Sequence, residues 1–458
     1  MIRQIIGKVF GRGPAAQNTK KQAKRYPGQE LGISPDDISS AALKTCRGLI
    51  EAGFQAYVVG GGVRDALAQL RPKDFDVATD ATPEEVMKLF RRARIIGRRF
   101  RIVHVIFGRE TIEVTTFRGL QVDAETDDHG RVLRDNVWGD HAQDASRRDF
   151  TVNALYYDPI ADQVVDYHDG VRDMRKKTIR MIGDPETRYR EDPVRMLRAV
   201  RFSAKLGFDV EAKTGKPITD LAPLISNVPK ARLFDEILKL LLSGSSLACV
   251  NQLRDQGLHH GLLPLLDVIL EQPDGERFVT EALKRTDERI ANNKGVSPGF
   301  LFATLLWQQV NQRWQEGLAQ GEHRIPALMA GIDSVLEEQA KELAIQKRFT
   351  SDMREIWSLQ PRFERRNGQA PFRLLEHMRF RAAYDFLLLR CDTGGAQAEL
   401  AQWWTDFQEV DAQARRDMVA NAPSNGPKRR SRPRRRRRSG NAGAQSNAPS
   451  TNGSAGSE

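Results

Sequence analysis

The chain has 458 residues, 40% of them hydrophobic, 29% charged and 7% aromatic, enough length for several domains and too much apolar content for a chain that stays unfolded. No run approaches the roughly 18 uninterrupted apolar residues of a membrane span, so an integral membrane protein is not expected. The net charge of +11 is uneven: residues 1–29 carry seven Lys/Arg and no acid, residues 421–458 carry nine and one, and the remainder holds 55 bases against 59 acids. The positive excess therefore sits in two tails, which attract a polyanion by counterion release without sequence preference. For the run Arg434, Arg435, Arg436, Arg437 and Arg438, nucleic acid is favoured over a solubilising or membrane-surface role. Cys46, Cys249 and Cys391 lie far apart with no C-x-x-C spacing, which predicts buried thiols in a reduced, cytoplasmic protein rather than disulfides or a zinc site.

In chain order, residues 1–32 read as a basic N-terminal arm. Met1–Phe10 is a short amphipathic stretch, too broken for a secretory signal, and a disordered arm is favoured over a peripheral membrane contact. Ser34-Pro35-Asp36-Asp37 predicts a helix start, with the helix running to Ala52. A strand at Ala56–Val59, a glycine turn at Gly60-Gly61-Gly62, a short helix from Val63 and a strand over Asp74–Ala78 follow. Thr82 starts a further helix ending near Phe90, and Ile102–Phe107 with Thr111–Phe117 read as a hairpin. From about Pro185 the periodicity is helical, at Glu191–Leu206, Ala231–Leu242, Arg277–Arg285, Leu301–Trp314, Ile332–Ile345, Met353–Leu359 and Phe380–Leu389. The predicted fold is α+β: a small mixed-sheet head over residues 33–185, a helical neck over 186–275, a helical C-terminal body over 276–415 and a disordered Arg-rich tail over 416–458. Trp307, Trp314 and Trp357 fall on helical core periodicities. Trp403 and Trp404 cannot both face one core, which leaves one for a contact with RNA or a partner.

The informative stretch is Gly60-Gly61-Gly62-Val63-Arg64-Asp65 followed by Lys73-Asp74-Phe75-Asp76-Val77. On a strand, Asp74 and Asp76 share one face while Phe75 and Val77 share the other. Two carboxylates so spaced repel unless a divalent cation sits between them, and hard cations such as Mg²⁺ share oxygen ligands with substrate phosphates. Glycines before a helix start leave bare N–H groups for a phosphate to approach. A second cluster is Arg147-Arg148-Asp149-Phe150-Thr151-Val152-Asn153. Arg148 can pair with phosphate oxygens, Asp149 can accept from ribose hydroxyls or orient an arginine, and Asn153 can read a sugar or a base edge. A third, Arg188-Tyr189-Arg190-Glu191-Asp192-Pro193-Val194-Arg195-Met196-Leu197-Arg198, places Glu191, Arg195 and Arg198 at helical spacing.

Gly61-Gly62 with Asp74-Phe75-Asp76 resembles the signature of the polymerase-beta-like nucleotidyltransferases, which implies a third carboxylate on a neighbouring strand; Glu113 is the candidate. The three clusters in this order, over roughly residues 35–275, resemble the class II nucleotidyltransferase family of bacterial poly(A) polymerases and CCA-adding tRNA nucleotidyltransferases. The resemblance implies that Asp74 and Asp76, with Glu113, hold two Mg²⁺ ions (or Mn²⁺), and that Asp149 counts with the catalytic carboxylates. It implies that Gly60, Gly61, Gly62, Arg64, Arg98, Arg99, Arg148 and Asn153 bind the nucleotide, and that Glu191, Asp192, Arg195 and Arg198 choose its base. Three features favour the poly(A) branch: the basic run Ile96–Val105, the helical pattern from Leu374 through Asp385, and the arginine tail. On that branch the enzyme adds AMP from ATP to the 3′ ends of RNA, both mRNA and small RNAs, in the cytoplasm and in contact with RNA-decay machinery; nothing in the sequence demands an assembly, so a monomer is expected. A CCA-adding enzyme is the runner-up, and an RNA-binding protein with an inactive transferase head is the reading of another class. The acidic segment 121–136 is shorter than in family relatives.

Overall fold

A computed structural model describes residues 22–97, 101–119, 137–258 and 273–422. Eight short strands form one sheet: β1 (Lys24–Pro27), β2 (Ala56–Val59), β3 (Asp76–Thr79), β4 (Ala93–Ile96), β5 (Ile102–Phe107), β6 (Glu110–Thr116), β7 (Leu155–Asp158) and β8 (Gln163–Asp166). Their order is β1-β8-β7-β2-β3-β6-β5-β4, and the β3–β6 pair is parallel while the other pairs are antiparallel. Side-chain alternation gives the sheet two faces. Val58, Val77, Val105, Ile112, Val114 and Tyr157 pack against Ala42, Cys46 and Leu49 of the Ser40–Glu51 helix. Tyr57, Val59, Ala78, Tyr156 and Val165 pack with Phe117 and Ala145 on the opposite side. Asp76 lies two positions before Ala78, on this second face, and the parallel register sets it beside Glu113.

Beyond the head, one continuous core joins the Val194–Leu206, Lys230–Leu241, Ser246–Asp255, Pro298–Ala319 and Lys347–Phe363 helices, with Trp307, Trp314 and Trp357 buried in it as expected. A last cluster gathers Phe363, Tyr384, Trp404 and Phe407. Trp404 is buried and donates its indole N–H to the Phe363 carbonyl, whereas Trp403 is half-buried against Phe407. Among the described residues no helix is long and apolar enough to cross a membrane. The α+β architecture of sheet head and helical body is thus the one the sequence predicts.

Several local expectations are corrected. Part of the supposed arm is ordered: β1 pairs with β8 and continues into a short helix, Gly28–Leu31, while residues 1–21 lie outside the described residues. Ser34 caps a 3-10 turn, Pro35–Asp37, and the long helix begins at Ser40 under Ser39, whose hydroxyl accepts from the Ala42 N–H. The Gly61–Leu67 helix takes in the second and third glycines, and the Asp74–Ala78 strand begins only at Asp76. The predicted helix Glu191–Leu206 is two, Pro185–Glu191 and Val194–Leu206, because Asp192 before Pro193 leaves helical conformation at φ −150, ψ 92. A two-residue strand pair also joins Thr178–Ile179, near the end of the head, to Asp209–Val210 in the helical part. Cys46 and Cys249 are buried as expected, but Cys391 is half-exposed.

Candidate active site

The sheet head and the first long helices beyond it enclose a cavity of about 580 Å³. Its head wall carries Gly60, Gly61, Gly62, Asp74, Asp76, Arg148 and Asn153, and its helical wall carries Asp192, Arg195, Arg198 and Arg201. Gly60 sits at φ +73, a left-handed conformation that side chains disfavour, and turns β2 into the Gly61–Leu67 helix. A Cβ on Gly62 would stand 2.9 Å from a Phe75 ring carbon and 3.3 Å from the Asp74 carbonyl oxygen. The glycine segment therefore packs directly on the strand approach that carries the two aspartates.

Asp74, just before β3, and Asp76, its first residue, both line the cavity, and among the described residues neither carboxylate has a hydrogen-bond or ion-pair partner. Burial, then the charges of Glu113 and Asp74, push the Asp76 carboxyl up to about 6, against the pull of Arg148. Clustered carboxylates without a counter-ion fit a divalent cation. No group of three or more His, Cys, Asp or Glu among the described residues forms a closed metal cage. The donor set thus suits a hard cation that completes its shell with water and substrate oxygens. Glu113 lies beside Asp76 in register, but it is exposed, lies 3.4 Å from His104 Nε2 and is outside the cavity lining.

Arg148 donates from Nε to the Tyr156 hydroxyl at 2.9 Å and from Nη2 to Asp144 at 3.0 Å. Burial works against its charge, but Tyr156 and Asp144 outweigh it and raise its pKa. Both oxygens of Asp149 are engaged. Oδ1 accepts from Asn153 Nδ2 at 2.9 Å and from the Phe150 N–H at 2.8 Å, and Oδ2 accepts from Arg198 Nε at 2.7 Å. Burial pushes this carboxyl up, and Arg198 with the Asn153 and Phe150 donors overrides it, holding the group down at about 2. Arg64 is buried, donates to Asn153 Oδ1 at 2.6 Å and pairs with Asp65, which Lys205 clasps from the Val194–Leu206 helix at 2.6 Å.

At the helical wall, the break at Asp192-Pro193 turns the Asp192 carboxylate towards Arg232 Nη2 at 2.6 Å. Glu191 does not line the cavity; it pairs with Arg188 at 2.7 Å and Arg195 at 3.0 Å. Arg188 also donates to the carbonyls of Arg147 and Arg148, which ties the Pro185–Glu191 helix to the head. Arg98, Arg99 and the arginines at 434–438 lie outside the described residues. Asp65 and Lys73, which the first motif contains without an assigned role, also line the cavity, as do Arg201, Phe202, Lys205, Arg232, Glu236 and Lys239 from outside the motifs. Arg201 and Lys205 continue the helical spacing of Arg195 and Arg198, a legible signal. The Lys230–Leu241 contributors depend on tertiary packing, which no local pattern encodes.

Comparison with known proteins agrees with this geometry. A family model described as "Poly A polymerase head domain" matches residues 56–180, and further models match residues 207–270 ("Probable RNA and SrmB- binding site of polymerase A") and 320–439 ("Polymerase A arginine-rich C-terminus"). The Poly(A) polymerase I of Salmonella typhi is 46% identical over 427 residues, covering 90% of this chain and 91% of the relative. The chain belongs to the poly(A) polymerase I family. A second member, from Haemophilus influenzae, is 42% identical over 93% of this chain and 98% of its own length. The CCA-adding enzyme of Lactobacillus helveticus is 41% identical over 44% of this chain and 50% of its own length. In fold, the CCA-adding enzyme of Bacillus stearothermophilus in complex with CTP matches with a TM-score of 0.55 and 25% identity, covering 84% of this chain and 88% of that one. Like its family, this chain is an enzyme built on a nucleotidyltransferase head.

Proposed function

We propose that this enzyme adds AMP from ATP to the 3′-hydroxyl of RNA without a template, releases pyrophosphate, and so makes the poly(A) tails that lead transcripts to turnover. The observation that carries this reading is extent of likeness. Poly(A) polymerase I relatives align over 90% and 93% of the chain, whereas a CCA-adding relative aligns over 44%. Addition of C, C and A to tRNA is the second reading, favoured by the shared fold with a CCA-adding enzyme.

In this reading Asp74 and Asp76 hold the divalent cations, Mg²⁺ or Mn²⁺. Such ions, when bound, favour the ionised form of a hydroxyl nucleophile and neutralise phosphate charge. The bare N–H groups of Gly60–Gly62 and the buried Arg148 take the triphosphate. Asp192 and Arg195, which line the cavity at the helix break, read the base. Asp149 acts as a positioning residue, since its engaged oxygens fix Asn153 and Arg198 on the sugar side.

Primer extension with purified protein, Mg²⁺, a generic RNA and each nucleotide singly tests the proposal. Long tails with ATP alone are expected. Extension limited to C, C and A on a tRNA lacking its end supports the second reading, and no extension with any nucleotide overturns both. Asp76→Ala should keep the fold, by circular dichroism, and lower incorporation by about three orders of magnitude or more; retained activity removes the metal assignment.

A further inference from the structure

The cavity is electrically two-ended. At one end Asp74 and Asp76 stand without counter-ions. At the other, five cations, Arg64, Arg198, Arg201, Lys205 and Lys239, face three carboxylates, Asp65, Asp149 and Glu236. Asp65 serves Arg64 and Lys205, Asp149 serves Arg198, and Glu236 accepts from Lys239 at 3.0 Å. Arg201 shares Glu236 with Lys239 through a looser ion pair. Its Nη2 stands 3.6 Å from Glu236 Oε2, too long for a hydrogen bond, and its buried Nε has no partner. Three guanidinium groups converge on one ring: Arg64, Arg198 and Arg201 lie 4.6, 5.3 and 4.4 Å from the Phe202 centroid. Burial and the neighbouring Arg198 lower the Arg201 pKa to about 10. Five cations sharing three carboxylates leave a net positive charge, which an anionic ligand stabilises.

We infer that Arg201, Lys205 and Lys239 form a phosphate site for the RNA strand, distinct from the Gly60–Gly62 cradle for the incoming nucleotide. The three cations run from depth to mouth, with side chains 14%, 23% and 57% exposed. A chain of phosphodiesters entering from solvent meets them in that order reversed, Lys239 first. Lys239 and Glu236 belong to the Lys230–Leu241 helix, inside the segment 207–270 that matches the RNA-binding family model. The inference rests on RNA being the acceptor. The same chemistry could be supplied by the phosphates of ATP, so the test separates the two sources.

The measurement is equilibrium binding of an RNA oligonucleotide in the absence of ATP, over a range of salt, to the full chain and to Lys239→Ala and Arg201→Met. Each variant should bind RNA about tenfold more weakly and lose about one unit of salt slope, with the KM for ATP unchanged. An oligonucleotide with neutral methylphosphonates at the linkages nearest its 3′ end should erase the difference between the full chain and each variant. A raised KM for ATP with RNA binding intact overturns the inference in favour of ATP phosphates, and no change in either overturns it outright. Lys239 sits at the exposed rim, so its variant reports even where Arg201→Met does not fold. Because RNA binding is read without nucleotide, failure of the extension assay leaves this result interpretable on its own.

Discussion

At the scale of single residues, two aspartates of the site behave oppositely for one physical reason. Asp76 is buried among like charges and is pushed up to about 6, whereas Asp149 is buried among donors and held at about 2. The first is left wanting a cation and the second is already satisfied by Arg198. Sequence spacing could pair Asp74 with Asp76, but it gave no means to see that Asp149 would be saturated, because Arg198 reaches it across 49 residues. His141 offers a separate test. Its ring lies against both Tyr57 and Phe117, at 4.4 and 5.0 Å between centroids, and burial lowers its pKa from 6.5 to about 4. The unfolded chain takes up that proton near 6.5 and the folded chain only near 4, so stability is complete above 6.5 and falls as pH drops through this window. The loss amounts to about 3 kcal/mol in full. Thermal melts of wild type and His141→Phe at pH 7 and pH 5 should show a smaller fall for the variant; equal falls would exclude His141 as the source.

At the scale of elements, the site depends on how tightly the glycine helix start lies on the approach to β3. Gly62→Ala would drive a methyl into the Phe75 ring and the Asp74 carbonyl. A displaced Asp74 should cut kcat by about tenfold or more, whereas the melting temperature changes little because alanine also favours the helix. A large stability loss with normal kcat would contradict this. β2, the glycine turn and the β5–β6 hairpin were readable from the sequence because alternation and turn chemistry are local. β1, β4, β7 and β8 were not: four residues give little periodicity unless a run of glycines marks the end, as it does for the equally short β2, and β1 lies in a segment whose basic composition suggests disorder. The Asp192-Pro193 break was visible as a proline, yet the helical spacing of Glu191, Arg195 and Arg198 read as one helix. The structure shows instead that the break presents Asp192 to the cavity.

At the scale of the whole molecule, charge is distributed by role. The stretch between the two tails is close to neutral, nine of its cations line the cavity, and nine further basic side chains follow residue 420. Ending the chain at Ala422 should weaken RNA binding and flatten its salt dependence, while kcat at saturating RNA stays near that of the full chain. Binding measured at several salt concentrations would show it, and an unchanged slope would remove the tail from the RNA interface.

The claim on which the account turns is that Asp74 and Asp76 jointly hold a cation against the nucleotide. A crystal structure with Mg²⁺ and a nonhydrolysable ATP analogue tests it most directly. An ion should touch oxygens of both carboxylates and of the triphosphate. An ion bound elsewhere, with those carboxylates turned away from it, would contradict it.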